Sequence, residues 1–313
     1  MPAESPSAMS ARRSISRTAV EKMFRTLSNW RRWGKSDELG APNLITNAKR
    51  IAAASLVREG ICLSLARNAN RQAADNSAPF EHKMIQTGAG RNPVAATDWY
   101  GVAYHGYTVT HLDALCHVFH KGLMYNGFSA KEVASDGAKR LAVTALKNGI
   151  FTRGILVDIP ALRGKTYLSG AEPVYREDLQ AWERFSSMQV EPGDAIVLRT
   201  GRWARRAEQG SWPIEANSAG LHASALPWLR ERDVAVLASD LAADVMPSGI
   251  PQVKMPIHLV AIVAMGIPII DNCDLEPISR AAAQSGRWDF LFVVAPLPVE
   301  GGTGSPVNPL AVF

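Results

Sequence analysis

His111, Asp113 and His117 form the densest group of side chains in this sequence that can bind a metal ion or transfer a proton. The chain has seven histidines in 313 residues, and four of them fall within residues 105–120. Residues 104–110 are rich in β-branched and aromatic types, which favours a strand, and alternate residues of a strand face the same side. His111 and Asp113 are therefore predicted to present an imidazole and a carboxylate together, two ligands typical of a mononuclear Zn²⁺ or Mn²⁺ site.

His117 has the same strand parity as His111, six residues later. It is predicted to stand beside the metal as a proton carrier, the general base of the reaction. A structural alternative is open, because a single buried His bonded to an Asp is common and inert. The full His-x-Asp-x-x-x-His spacing beside a predicted strand favours a functional site.

The segment Thr110–His117 resembles the Gly-Thr-His-x-Asp-x-x-x-His signature of the cyclase family of metal-dependent hydrolases, which includes bacterial kynurenine formamidase and isatin hydrolase. Other segments are similar to further parts of that family's sequences: Trp33–Gly40, Asn43–Thr46, Pro192–Gly201 and Gly301–Pro309. The resemblance covers about residue 30 to the carboxyl terminus. It implies an α/β chain with a swivelling β/β/α fold, a mixed sheet and flanking helices, assembled as a homo-oligomer (dimer or tetramer).

The resemblance also implies metal ligands far along the chain, a His on a helix and a carboxylate on the next strand. His258 falls in the first turn of a predicted helix that starts after Pro256 and ends at Gly266. Asp271 follows a predicted strand over residues 267–270, and the carboxyl end of a strand in an α/β sheet is well placed for a site. Without the resemblance, the sequence favours a capped or hydrogen-bonded core histidine at position 258 over a ligand.

Two positions depart from the family pattern. Tyr107 stands where members with two zinc ions carry another His, and a phenol is a poor replacement for imidazole on zinc. We therefore expect one divalent ion, Zn²⁺ or Mn²⁺, with Tyr107 as a catalytic hydrogen-bond donor. Asp271 stands where the family more often has Glu, so the metal must shift or bind through water. His105 shares the predicted parity of His111 and could compensate for the missing imidazole.

Four residues are candidate substrate contacts: Trp33, Tyr125, Asn126 and Arg199. Arg199 follows a predicted strand, so its guanidinium could meet a substrate carboxylate, although a surface ion pair is an equal alternative. Trp33 suits an aromatic substrate wall, although large aromatics more often belong to the core. Asp240, at another strand end, could support a metal-bound His or cap the next segment.

Strands and helices alternate in the second half of the chain, which favours parallel strands joined by crossover helices. No linker or repeat divides the sequence, so a single domain over residues 16–313 is predicted, preceded by a basic tail, 1–15. Residues 68–93 are polar and irregular, long enough to form a functional loop or lid.

The formal net charge is +5, but eight Lys and Arg against two Glu lie in residues 1–35 and the remainder is close to neutral. A nucleic-acid binder would spread basic residues over a face, so no nucleic-acid partner is expected. Three distant cysteines suggest a reducing compartment. The amino terminus lacks the apolar core of a secretory signal, and the longest apolar run, 259–270, is about half a membrane span. We expect a cytoplasmic protein with a small-molecule substrate.

Together these features predict a metal-dependent hydrolase that opens an amide, cyclic amide or lactone bond with metal-activated water and His117 as general base. Two alternatives are open. The same site could act as a cyclase or dehydratase, since one catalyst serves both directions. A metal-free, non-catalytic family member is the other, and Tyr107 and Asp271 both point towards it.

Overall fold

Short runs of Val, Ile and Leu build the centre of a nine-stranded mixed sheet in the computed structural model, which describes residues 15–69 and 79–313. The strands within those residues are β1 (Cys62–Ser64), β2 (Glu81–Gln86), β3 (Thr97–Gly101), β4 (His111–Asp113), β5 (Val133–Ala134), β6 (Gly137–Ala138), β7 (Ile150–Asp158), β8 (Pro173–Val174), β9 (Ala195–Arg199), β10 (Gly220–Leu221), β11 (Val236–Ser239), β12 (Ile269–Asp271), β13 (Asp289–Val294), β14 (Gly304–Pro306) and β15 (Leu310–Val312). The order in the large sheet is β1-β15-β13-β7-β9-β11-β12-β4-β14.

Eight α-helices occur in the same described residues, and most of them connect or flank the strands. They are α1 (Arg17–Thr26), α2 (Asn47–Ala54), α3 (Ile159–Leu162), α4 (Arg176–Ser186), α5 (Arg202–Gln209), α6 (Leu226–Glu231), α7 (Pro256–Val260) and α8 (Glu276–Ser285). Local sequence explains several boundaries. Ser16 and Thr46 cap α1 and α2 by accepting hydrogen bonds from the amides of Ala19 and Lys49. In α4 the apolar face buries Leu179 and Trp182.

The middle of the sheet is parallel, as the alternation of strands and helices predicts. β7, β9, β11 and β12 run parallel to one another, and every residue of β9 and β11 is buried. Strands covered on both faces are expected to be continuously apolar. The edge beyond β12 turns antiparallel, because β4 pairs with both β12 and β14 in that direction.

The helix predicted after Pro256 is present and ends as expected at Gly266. α7 continues into a π-helical turn, Ala261–Met265, and Gly266 closes it with a φ of +67°. A Cβ at Gly266 would lie 2.5 Å from the ring of Tyr125, so only glycine fits both the backbone and the packing. The position of His258 thus depends on a helix that is fixed at both ends.

Two predicted elements are wrong. Residues 104–110 form no strand, and the strand covers only His111–Asp113, because the preceding residues turn through a series of bends. The segment 68–93, predicted to be irregular, contains the strand β2, which pairs with β3 as an antiparallel hairpin. Residues 70–78 of that segment and residues 1–14 of the predicted tail lie outside the described residues. No helix in the described part of the chain has the length and apolar character to cross a bilayer.

Candidate metal centre

The antiparallel pairing of β4 with β12 brings the candidate ligands to one place. Asp271 lies directly opposite His111 in the register, so the two side chains share a face of the sheet. His111 and Asp113 share that face because they are two residues apart. All three are buried, with 2%, 1% and 5% of His111, Asp113 and Asp271 exposed. A pair of three-residue strands therefore positions an imidazole between two carboxylates.

Asp113 lies at the centre of four imidazoles. Its Oδ1 is 2.9 Å from Nδ1 of His105 and 3.5 Å from Nε2 of His111. Its Oδ2 is 3.7 Å from Nε2 of His258 and 3.8 Å from Nε2 of His117. The two oxygens of one carboxylate therefore face two different pairs of imidazole nitrogens.

The candidate ligands accordingly form two overlapping groups that share Asp113. One group contains His105, His111 and Asp113, and the other contains Asp113, His258 and Asp271. Within each group the ligand atoms lie within 4.8 Å of one another. The four ligands predicted from the sequence are thus all present around Asp113, but they are divided between the groups. His105 joins them although the strand on which its parity was argued does not exist.

Hydrogen bonds on the far side of the His111 and His258 rings hold the other nitrogen of each towards the centre. Nδ1 of His111 is 2.8 Å from the carbonyl oxygen of Val109, and Nδ1 of His258 is 2.7 Å from Oδ2 of Asp244. When Nδ1 donates in these bonds, Nε2 is left with the lone pair that a metal needs. Asp244 was missed in the sequence because it lies in a loop fourteen residues before His258.

Asp240, the carboxylate considered for that supporting role, acts as a cap. It accepts hydrogen bonds from the backbone amides of Thr200, Gly201 and Arg202 at the start of α5. The segment that it caps precedes it in the chain, so neither predicted role, support of a metal-bound His or capping of the next segment, describes Asp240. The carboxylate that bonds the candidate ligand His258 is Asp244, four residues later.

Several buried polar atoms at the centre have no hydrogen-bond partner, namely Oδ1 of Asp113, Oδ1 of Asp271 and Nδ1 of His105. Nδ1 of His105 approaches Oδ1 of Asp113 to 2.9 Å without hydrogen-bond geometry. Unpartnered buried polar atoms are rare and costly. Imidazole and carboxylate together are the donor set of zinc and manganese sites. The residues present therefore fit a divalent metal ion.

The charges around Asp113 shift several pKa values. Burial alone would raise the pKa of Asp113, but the surrounding imidazoles outweigh it and lower the pKa to about 2. Burial lowers the pKa of His117 to about 4 despite the nearby Asp113 carboxylate. Burial would also lower the pKa of His258, but Asp271 and Asp244 outweigh it and raise that pKa well above the ordinary value. Without metal, His258 is thus held as a cation between two carboxylates.

His117 does not lie on the strand, so the parity argument for it is wrong. It follows β4 in a turn, where its amide bonds the carbonyl of Ala114. Its ring stacks on His105 with the centroids 3.9 Å apart. Its side chain is 30% exposed, against 2% for Asp113. His117 and His105, with side chains 30% and 29% exposed, are therefore the two members of the cluster most open to a substrate or water.

A cavity of about 420 Å³, here called the metal cavity, opens onto the cluster. Among the residues that line it are His111, Asp113, His117, Asp271 and Tyr107. The phenol of Tyr107 is 3.4 Å from Oε1 of Glu215. Burial, followed by Glu215, raises the pKa of Tyr107 to about 12. Tyr107 is therefore a protonated hydrogen-bond donor at neutral pH. Glu215, which also lines the metal cavity, carried no sequence signal.

The four predicted substrate contacts do not line the metal cavity. The hydroxyl of Tyr125 donates to Asp37 at 3.0 Å, and Nδ2 of Asn126 donates to the carbonyl oxygens of Gly34 and Asp37. These contacts hold the amino-terminal loop against the core. Trp33 lies on that loop, with the guanidinium of Arg32 4.8 Å from its ring centroid.

Arg199 is engaged in a buried ion pair. Its guanidinium lies 2.9 Å from Asp158 and 2.8 Å from Glu276, and only 5% of the residue is exposed. The alternative of an ion pair is therefore the better description, although the pair is buried between β7, β9 and α8 and is not on the surface. No guanidinium nitrogen is left facing the metal cavity.

A model of the Cyclase family matches residues 75–244. A crystal structure of a novel cyclase superposes with a TM-score of 0.82 over 93% of this chain and 99% of that chain, at 30% sequence identity. Isatin hydrolase A from Ralstonia solanacearum has a TM-score of 0.59, covers 86% of this chain and 98% of that chain, and is 20% identical. The comparison with curated proteins gives no match.

An isatin hydrolase bound to the product analogue thioisatinate is also similar, with a TM-score of 0.57, 18% identity and coverage of 85% and 95% of the two chains. At this level of identity both isatin hydrolases share the fold with this chain. The predicted α/β fold with a mixed sheet and flanking helices is confirmed by these similarities and by the sheet order.

Proposed function

This chain belongs to the cyclase family, and we propose that it is a metal-dependent hydrolase that opens an amide, cyclic amide or lactone bond in a small metabolite. The observation that carries the proposal is the buried Asp113 carboxylate, shared by two groups of metal-capable side chains with unpartnered oxygens. The solved structures similar to this chain include isatin hydrolases, which is consistent with a hydrolytic reaction.

We propose that one divalent ion, Zn²⁺ or Mn²⁺, is held by His111, Asp113, His258 and Asp271. His105, which groups with His111 and Asp113, is proposed as a fifth candidate ligand. It would supply the additional imidazole that is absent at position 107. When bound, such an ion lowers the pKa of a coordinated water from 15.7 to about 7 in favourable zinc sites.

His117 is the proposed general base. With a pKa of about 4 it is neutral at pH 7 and carries a lone pair that can accept a proton. The Asp113 carboxylate, 3.8 Å away, stabilises the imidazolium that results. The proton that His117 accepts comes from the attacking water. His117 then returns this proton to the leaving nitrogen or oxygen, so that no net proton is taken up or released by the protein.

Tyr107 is the proposed donor to the substrate. Its phenol keeps its proton at neutral pH, since its pKa is about 12. A phenol on the wall of the metal cavity can donate to the carbonyl oxygen and stabilise the negative charge that develops there. Compared with the members that have two zinc ions and carry a His at this position, Tyr107 would remove a ligand and provide a donor.

A metal-free, non-catalytic role is less consistent with the structure. It would leave Oδ1 of Asp113 and Oδ1 of Asp271 buried without any partner, an arrangement that costs free energy. Ring closure by the same residues is the reverse of ring opening and needs no different site. A homo-oligomeric assembly and a cytoplasmic location remain predictions.

The test is turnover of a panel of amides, cyclic amides and lactones by protein as purified, after chelation, and after reconstitution with Zn²⁺ or Mn²⁺. We expect hydrolysis that is lost on chelation and restored by metal. Full turnover by the chelated, metal-free protein would contradict the proposal. Product analysis from both the ring-opened and the ring-closed side establishes the direction.

A further inference from the structure

A second cavity, of about 570 Å³, opens beside the metal cavity. It is enclosed by residues 246–255 together with Tyr107 and Glu215, and it is called here the loop cavity. Tyr107, Glu215 and Met255 line both cavities. The two spaces are therefore adjacent, and a molecule with its carbonyl at the metal centre can extend past Tyr107 into the loop cavity.

The wall of the loop cavity is mainly apolar, being formed by Met246, Pro247, Ile250, Pro251, Val253 and Met255. Its two formally charged side chains, Glu215 and Lys254, have opposite signs. Behind it, Met246 belongs to a small hydrophobic cluster that is separate from the main core and is covered by Tyr107 and Met255. Cavities of roughly 300–1,000 Å³ with apolar walls and few polar groups are typical small-molecule sites.

The loop of residues 246–255, which lines this cavity, is joined to the candidate metal centre at both ends. Asp244, just before the loop, accepts hydrogen bonds from the amides of Ile257 and His258 and from Nδ1 of His258. Inside the loop, Ser248 accepts from the amide of Ile250 at 3.1 Å and donates to the carbonyl of Val253. These bonds hold the segment that lines the loop cavity at a fixed position relative to the candidate ligand His258.

We propose that the loop cavity binds a compact apolar substituent, alkyl or aryl, attached next to the carbonyl group that is hydrolysed. This inference rests on the proposed hydrolase function and adds to it the class of substrate. Burial of each added methylene strengthens binding by about fourfold. A substrate with such a substituent therefore binds more tightly than the unsubstituted ring, and its affinity rises with substituent length until the cavity is full.

The experiment uses the metal-loaded protein and five-membered lactones whose alkyl substituent lengthens from none to about six carbons. We expect kcat/KM to rise by about fourfold per carbon over the first members. In Val253→Trp, which fills the loop cavity, the rise should be lost. The ratio of long-chain to short-chain kcat/KM is the quantity compared, because the fraction of active protein cancels in it.

Val94→Trp is the matched control, since Val94 is fully exposed on the β2–β3 hairpin and lines neither cavity. It should keep the chain-length dependence of the parent. Pro251→Trp, at an exposed position of the same wall, replaces Val253→Trp if that variant does not fold. A kcat/KM that is independent of chain length, or an unchanged dependence in the filled variant, overturns the inference.

Calorimetric titration with straight-chain carboxylates separates this inference from the proposed function. If no lactone or amide is turned over, but carboxylate affinity rises with chain length in the parent and not in Val253→Trp, the hydrolase proposal fails and the apolar site stands. If affinity is independent of chain length, the apolar site is overturned whether or not hydrolysis is observed.

Discussion

Asp244 and His258 are joined by a hydrogen bond of 2.7 Å between Oδ2 and Nδ1. The same carboxylate accepts the amides of Ile257 and His258, so it fixes both the imidazole and the helix that carries it. Side chains that orient a metal-bound His in this way also raise its basicity. Asp244 lies just before the segment that lines the loop cavity, and its bonds join that segment to the helix of His258.

Replacement of Asp244 should weaken metal binding without removing a ligand. We expect Asp244→Asn to lower metal affinity by about 10–100-fold, because the uncharged amide supports the imidazole less well. Competition with a chromophoric chelator measures this affinity. Asp136→Asn, at an exposed position, is the control and should match the parent. Equal affinity in Asp244→Asn would show that the bond does not support a ligand.

Metal binding should release a proton from His258 and weaken as the pH falls. In the metal-free protein Asp271 and Asp244 raise the pKa of His258 well above its ordinary value, so the imidazole is protonated at pH 7. A metal must displace that proton, and lower pH favours the protonated form. Calorimetry in buffers of different ionisation enthalpy counts the protons. Affinity that does not change between acidic and neutral pH would exclude His258 as a ligand.

Loss of His117 should abolish most turnover while the metal stays bound. A general base typically contributes about 10²–10⁴-fold to the rate, so the kcat of His117→Ala should be lower than that of the parent by about that factor. Metal content by elemental analysis should equal that of the parent. His120→Ala is the matched control, because His120 stacks on Phe24 and does not line the metal cavity. Parent-level turnover in His117→Ala would remove His117 from its assigned role.

Tyr107→Phe should lower kcat more than it changes KM. The phenylalanine keeps the ring but removes the donor that faces the developing negative charge, and loss of one such donor costs about 10²–10³-fold in kcat. Because the pKa of Tyr107 is about 12, ionisation of this phenol should produce no fall in rate between pH 7 and roughly pH 10. An alkaline fall in that range that disappears in Tyr107→Phe would contradict this assignment.

Gly266→Ala should destabilise the fold more than Gly286→Ala. Both glycines have a φ of +67°, so the backbone strain of the substitution is the same in kind. A methyl group at Gly266 would lie 2.5 Å from the Tyr125 ring, whereas nothing lies within 4 Å of one at Gly286. Overpacking of this kind costs about 1–3 kcal/mol. Urea unfolding of the two variants measures the difference, and equal stabilities would contradict it.

The sequence predicted the parts of the fold that depend on local pattern. The buried strands over Ala195–Arg199 and Val236–Ser239, and the helix that carries His258, follow from apolar runs, Pro256 and Gly266. The antiparallel pairing of β4 with β12 could not be read from the sequence, because three-residue strands carry little local signal. Yet that register is what brings Asp271 opposite His111.

The centre could be predicted only in part. Ligand residue types and the His-x-Asp spacing identify His111 and Asp113, and family resemblance adds His258 and Asp271. Asp244 and Glu215 reach the site through loops, where the geometry depends on tertiary contacts and no periodicity applies. The same cause misled the assignment of Arg199, since a guanidinium at a strand end can pair internally with Asp158 and Glu276.

The most direct test of the metal centre is an anomalous-difference map from crystals grown with Zn²⁺ or Mn²⁺. We predict one peak per chain beside Asp113, about 2.0–2.2 Å from its ligand oxygens and nitrogens, with His111, His258 and Asp271 around it. No peak in the metal cavity, or a peak that none of these four side chains contacts, would contradict the account.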